Sequence, residues 1–360
     1  MRRKPGNDRG VQHLVEKIHI AFEFRESSWG GGNQFLSALR DELIARNLYA
    51  EDIQSAAIVL FNSYHLGQWR VLRSIITEKA KRPSLIVVHR VDGPFSLVRG
   101  SESKADLAVR DLNWGLADAT IFQSNWSRVH CQSRGVGIRG LNTTIVNAAG
   151  SNFSDHTPKP ISRVGRKIRI ASSGWSTNAN KGFADLLWLD QNLDFSLFDF
   201  VYYGNSPTSF ENIRLVPPLA SAALAKELRK SDIFFSGARN EPCSNSLIEG
   251  LASGLPAVAF NGGGNPEIIG NGGLLYDQIS QVPAYFEEIV QDLEGFRSRI
   301  EVRNISRVAD EYLEFFRSLL YREPTTSPIT PLIGLRFKYG SQVGDHLRIL
   351  SQKIREKLAV

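Results

Sequence analysis

Cysteine is almost missing: Cys131 and Cys243 are the only two in 360 residues, and they lie far apart in the chain. That excludes a disulfide framework and fits a reducing compartment. No apolar run approaches the ~18 residues that a membrane-spanning helix needs. The basic start, Met1 to Gly10, is followed by no apolar h-region, so no secretory leader is expected. There is no Asp-x-Asp triplet and no His/Cys cluster with zinc spacing, so no metal ligands are expected. What is present is ordinary for a soluble globular chain: 42% hydrophobic and 22% charged residues, in a length that suits two domains each with its own core.

The net charge of +6 is concentrated at the ends. Residues 1–17 carry +3 and residues 322–360 carry +4, which leaves the body between them at −1. A nucleic-acid binder would carry its basic stripe on the folded body, so nucleic acid is not an expected partner. Basic ends suit solvated tails, or peripheral contact with an anionic membrane surface by a cytoplasmic protein.

Along the chain, short β-branched runs alternate with helical patterns. Lys17–Phe24, Ala56–Phe61, Leu85–Val88, Ala119–Phe122 and Thr144–Val146 read as buried parallel strands of one doubly wound α/β domain, over residues 14–153. A polar, proline-bearing linker follows Gly150. The alternation then resumes over 164–304, with Ile168–Ala171, Phe200–Tyr203, Ile213–Val216, Ile233–Phe235, Ala257–Phe260 and Leu274–Tyr276 as strands. Residues 305–321 form an amphipathic helix, expected to pack back towards the first domain. Residues 322–360 form a basic tail with a second amphipathic helix from about His346 to Leu358.

One stretch carries most of the chemistry. The strand Asp232–Ser236 runs into Arg239-Asn-Glu241-Pro-Cys-Ser-Asn-Ser-Leu-Ile-Glu249, and a second strand, Pro256–Phe260, leaves it. Leu247, Ile248, Leu251 and Leu255 fall at helical spacing between them. Ser244, Asn245 and Ser246 crowd the helix start, where unpaired N–H groups and the positive dipole end favour an anion. Glu241 and Glu249 bracket that start and suit hydroxyl groups. The simpler alternative is a capping box, in which Ser246 and Glu249 satisfy each other's backbone N–H groups.

The spacing Glu241, seven residues, Glu249, followed by Gly-Leu-Ala-Ser-Gly-Leu-Pro256, resembles the E-x7-E signature of family-4 retaining glycosyltransferases of the GT-B fold. Asn261-Gly-Gly-Gly-Asn-Pro-Glu267 is similar to the glycine-rich turn of that family. The resemblance implies two Rossmann-like doubly wound domains facing across a cleft, the first for an acceptor and the second for a nucleotide-sugar donor. It implies a catalytic role for Glu241 on the transferred sugar and a ribose contact for Glu249. Ser244, Asn245 and Ser246 would take phosphate.

Other segments extend the resemblance. Lys181, where a loop becomes a helix, stands where the family has a Lys-Gly and would meet the donor diphosphate; read alone it is a solvated loop lysine. Trp175 occupies a position where relatives often carry arginine, which leaves Ser176 or Thr177 to substitute. Gly31 and Gly32 match the family's N-terminal glycine loop facing the donor, and this loop is not a dinucleotide fingerprint. His89, at a strand end, read alone is a structural histidine; by the resemblance it matches a histidine that contacts the transferred sugar, and Arg90 beside it is expected to hold Asp92. No separate cofactor is implied. The co-substrate is a UDP-, GDP- or ADP-sugar, the acceptor a glycan or lipid-linked hydroxyl compound, and the reaction metal-independent transfer with retention. A catalytically silent sugar-nucleotide binding module and a GT-B-fold epimerase are the alternatives.

Overall fold

The computed structural model describes residues 16–25, 30–62, 69–100, 104–153, 166–301 and 303–321. The linker, the 322–360 tail with its expected helix, and the first part of the glycine loop lie outside the described residues.

The first domain runs β1 (Ile18–Ala21), α1 (Gly31–Ala45), β2 (Ile58–Asn62), α2 (Trp69–Lys81), β3 (Ile86–Val91), α3 (Phe95–Val98), α4 (Lys104–Leu116), β4 (Ala119–Phe122), α5 (Asn125–Gln132) and β5 (Leu141–Thr144). The strands form one parallel sheet in the order β1-β2-β3-β4-β5. Both faces are covered, which explains the unbroken apolar strands. Ile18, Ile20, Ile58, Leu60, Val88 and Ile121 pack against Phe35, Leu36, Leu39 and Leu43 of α1. On the opposite face Val59, Phe61 and Val87 meet Leu72 and Ile75 of α2 and Leu112 and Leu116 of α4.

A strand order that simply follows the sequence would put all right-handed crossovers on one face, yet α1 lies opposite α2 and α4. Tyr49 resolves this. It makes an isolated parallel bridge to Ile18, so the chain leaves β1 on its outer side before crossing back to β2. Both crossovers are then right-handed. The chain reverses direction at β1, and the Gly30–Gly32 loop sits at that reversal.

The second domain runs β6 (Ile168–Gly174), α6 (Phe183–Asn192), β7 (Phe198–Gly204), β8 (Arg214–Val216), α7 (Ser221–Leu228), β9 (Ile233–Ser236), α8 (Asn245–Ala252), β10 (Ala257–Phe260), α9 (Asn265–Ile269), β11 (Gly273–Tyr276), α10 (Val282–Gln291) and α11 (Leu293–Ser298). Its parallel sheet has the order β11-β10-β9-β6-β7-β8, so the reversal falls between β6 and β9. Crevices open beyond strand C-termini at such points. The loops after β6 and β9 carry Trp175–Lys181 and Arg239–Ser244.

The final helix, α12 (Ile305–Leu320), belongs to the first domain's core: Val308, Tyr312, Phe316 and Leu319 join the cluster built around α1. Arg46 at the end of α1 donates to the Ser306 carbonyl at 2.9 Å and pairs with Asp310. Among the described residues no helix is long and apolar enough to cross a membrane. Because Phe316 is buried in that cluster, Phe316→Ala should cost about 3–5 kcal/mol in urea unfolding. A loss under ~1 kcal/mol would mean that α12 is not part of the core.

Candidate functional site: a cleft between two sheets

The C-terminal edges of the two sheets face one cleft of about 600 Å³. Gly30, Gly31, Gly32, Asn62, Asp92 and Arg99 line it from the first domain. Trp175, Ser176, Lys181, Glu241, Ser244–Ser246 and Glu249 line it from the second. The structure thus brings Glu241, Glu249, Lys181, Ser176, Ser244, Asn245, Ser246, Gly31 and Gly32 to one place.

α8 is the central element. Ser244 is its N-cap, with Oγ accepting from Leu247 N at 3.3 Å, and Ser246 Oγ lies 3.2 Å from Ser244 Oγ. The cap therefore falls two residues before the Ser246–Glu249 box considered from sequence, and Glu249 takes no part in it. Among the described residues no cation or donor engages the Glu249 carboxyl, and burial alone pushes it up to about 8.

Lys181 ends a short 3-10 turn, Ala179–Lys181. Gly182 follows with φ 83°, and its Cα lies against the Gly237 backbone, where a Cβ would clash at 2.3 Å. That close approach sets Lys181 beside the loop after β9, where Nζ meets Glu241 Oε2 at 2.5 Å. The two residues most expected to act on a donor thus neutralise each other in the ligand-free protein. The loop bearing Glu241 is held from below, because Gly264 N donates to the Glu241 carbonyl at 2.8 Å. Ser176 Oγ accepts from Asn178 N at 3.2 Å, which leaves its hydroxyl proton available to the cleft.

His89 is not on the cleft. It is fully buried, stacked on Phe61 with ring centroids 4.3 Å apart, and its Nδ1 lies 3.2 Å from Asn113 Nδ2. Strand alternation explains the placement: His89 shares the α2/α4 face of β3 with Val87, while the cleft begins at the strand's end. The residue there is Asp92, which accepts from Gln123 Nε2 at 2.6 Å, Asn62 Nδ2 at 2.8 Å and Arg90 Nη1 at 3.1 Å. Its signal in the sequence was its place just past the last buried strand residue. Arg239 is engaged elsewhere, bidentate to Asp185 at 2.7 and 3.0 Å and stacked over Phe260.

The raised Glu249 carboxyl has a stability consequence. The folded protein holds a proton there that the unfolded chain has released, so folding stability falls as pH rises from about 4.3 through about 8. Glu249→Gln, neutral and isosteric, should remove that slope. Its thermal midpoint should match the native protein at about pH 4–5 and exceed it by several degrees at about pH 9. Equal midpoints across this range would show that Glu249 ionises without penalty.

Residues 198–294 match the family model described as glycosyl transferases group 1. No curated protein matches the chain in sequence. Among solved structures it is similar to Alr3699/HepE of Anabaena in complex with UDP-glucose, at TM-score 0.63 and 13% identity, covering 84% of this chain and 99% of that one. It is similar to sucrose-phosphate synthase of Thermosynechococcus elongatus at TM-score 0.64 and 14% identity, covering 84% and 99%. It is also similar to WaaG, a glycosyltransferase involved in lipopolysaccharide biosynthesis, at TM-score 0.60 and 11% identity, covering 83% and 99%. The chain has the two-domain fold of these GT-B proteins, and its second domain carries the group 1 glycosyltransferase pattern.

Proposed function

We propose that this chain transfers a sugar from a nucleotide-sugar donor to a hydroxyl of a glycan or lipid-linked acceptor, with retention of configuration and without a divalent metal. The observation that carries the reading is the grouping of Lys181, the α8 start and Glu249 at the β6/β9 reversal. A donor diphosphate fits between Lys181 Nζ and the N–H groups of the first turn of α8. Glu249, one turn further in, accepts from the ribose hydroxyls once ionised. Glu241 hydrogen-bonds the transferred sugar. The leaving phosphate, with its charge held by Lys181 and the helix end, takes the acceptor proton on the face from which it departs. HepE, of the same fold, is bound to UDP-glucose, which supports this donor class. The basic ends of the chain suit peripheral membrane contact when the acceptor is lipid-linked.

A thermal-shift screen with UDP-, GDP- and ADP-sugars tests the reading. A donor at a hundredfold its dissociation constant adds about 2.7 kcal/mol, a shift of several degrees. Turnover should persist in chelator. No shift with any donor, or complete and metal-reversible loss in chelator, counts against the respective part. Sugar release or transfer distinguishes an enzyme from a silent binding module, and product identity distinguishes transferase from epimerase.

Lys181→Ala should lower kcat/KM by roughly ten- to a hundredfold, as for the loss of a charge-assisted phosphate contact. Because Lys181 also neutralises Glu241, its removal leaves that carboxylate facing the diphosphate. The double variant Lys181→Ala/Glu241→Gln should therefore lose less in donor affinity than the single changes added together. Strict additivity in a double-mutant cycle would show that the ion pair has no bearing on the donor.

A further inference from the structure

Arg90, one residue before the end of β3, is fully buried and is the largest side chain so enclosed among the described residues. A guanidinium has donors only, so each of its hydrogen-bond partners must present an acceptor. Nη1 donates to Asn62 Oδ1 at 2.6 Å and to Asp92 Oδ1 at 3.1 Å, and Nη2 to Asn147 Oδ1 at 2.7 Å. A carboxamide with its oxygen on Arg90 has to turn its NH2 the other way. Asn62 Nδ2 accordingly donates to Asp92 Oδ2 at 2.8 Å. Asn147 Nδ2 donates to Gln123 Oε1 at 3.0 Å and, across the cleft, to Asn245 Oδ1 at 3.0 Å.

The direction propagates once more. With Oε1 engaged, Gln123 turns Nε2 towards Asp92 Oδ1 at 2.6 Å and the Val91 carbonyl at 3.3 Å. With Oδ1 engaged, Asn245 turns Nδ2 towards Gly31, lying 2.2 Å from where a Cβ on that glycine would stand. Both branches therefore end on the cleft, one at a carboxylate and the other at a donor.

We infer that Arg90 is a positioning residue. Its donor-only chemistry sets the direction of these hydrogen bonds through Asn62, Asn147, Gln123 and Asn245, and so presents Asp92 as an acceptor and the Asn245 amide as a donor. That these two ends face substrate rests on the proposed reading of the cleft; the direction of the network does not.

Two substitutions at one position separate this role from plain support. Asn147→Asp keeps the size and the Arg90 contact, and adds charge pairing. Its second oxygen, however, faces Gln123 Oε1 and Asn245 Oδ1, two acceptors. Relief requires both amides to flip, which turns Gln123 Oε1 against Asp92 and an Asn245 oxygen towards the cleft. Asn147→Leu breaks the same bonds but reverses none. Asn147→Asp should melt at or above the temperature of Asn147→Leu yet have kcat lower by about tenfold or more. A merely structural role gives the opposite order, with the less stable leucine variant the less active.

Asn245→Asp is a third variant, since it still accepts from Asn147 while replacing the cleft-facing donor with an acceptor. It should raise KM for whichever nucleotide-sugar the screen identifies by about tenfold, and an unchanged KM would overturn the assignment. Side-chain amide exchange in the ligand-free protein supplies a readout independent of turnover. The Gln123 and Asn147 NH2 groups should exchange slowly in the native protein, and Gln123 should exchange fast in Asn147→Asp. Fast exchange in the native protein refutes the network even where the protein is active. Slow exchange without turnover of any donor refutes the proposed function and leaves the network standing.

Discussion

Two helix N-termini meet across the cleft, and most of its features follow from that contact. α1 begins at Gly31 and α8 at Asn245, so close that any side chain on Gly31 would strike Asn245. The N-cap of α1 is Gly30, with no side-chain acceptor, and neither helix has an acid in its first turn. Each therefore points unpaired N–H groups and a positive dipole end at the same space. Like ends repel, so the arrangement is unfavourable empty and favourable around an anion. The acids at the site are arranged so as not to cancel this field. Glu241 is paired with Lys181, and burial favours the neutral form of Glu249.

The same logic shows what the sequence could reveal. α8 and its flanking strands were legible because the apolar residues after Ser246 keep helical spacing, and Ile233–Phe235 and Ala257–Phe260 are unbroken apolar runs, buried except for the half-buried Phe260. The extent of β3 was not. A strand read as stopping at Val88 continues to Val91, because His89 and Arg90 are buried despite being polar. That misreading made His89 look like a strand-end group and drew attention from Asp92. β5, read as Thr144–Val146, lies at Leu141–Thr144, since an edge strand with half-buried residues carries little apolar signal. The direction change at β1 rests on the single bridge of Tyr49, too short to have any periodicity. Side-chain pairs between distant loops, such as Lys181 with Glu241, are fixed by tertiary placement, which no local pattern encodes.

Arg90 and Glu249 illustrate two ways of placing a titratable group at such a site. Arg90 is removed from water entirely, with the oxygens of Asn62, Asp92 and Asn147 forming a shell around Nη1 and Nη2 and the Phe35 ring under its guanidinium. The shell in turn orders groups that reach the cleft. Among the described residues none engages the Glu249 carboxyl, which burial favours in its neutral form. One group spends its hydrogen-bonding capacity within the protein and so rigidifies it; the other keeps that capacity for what binds.

Several of the contacts between the domains are of a kind that water can replace. Glu267 of α9 accepts from Asn125 N and Trp126 N at 2.8 and 2.9 Å, supplying the first turn of α5 with a cap from the opposite domain. Asn180 Nδ2 donates to the Leu97 and Val98 carbonyls, both at 3.0 Å, and Ser221 Oγ to Gln34 Oε1 at 2.9 Å. Such bonds contribute about 0.5–1.5 kcal/mol net, because their groups are solvated when the surfaces part. An apolar interface of the same extent would instead resist opening in proportion to its area, at about 25 cal/mol per Å². Close to where the chain passes between domains, Ala149 and Asn304 form a parallel bridge, so the two passages are joined. The polar clasps can exchange with solvent, whereas Ala149 and Phe153 beside this crossing are packed into the second domain's core. The apolar packing that α12 makes on α1 lies within one domain.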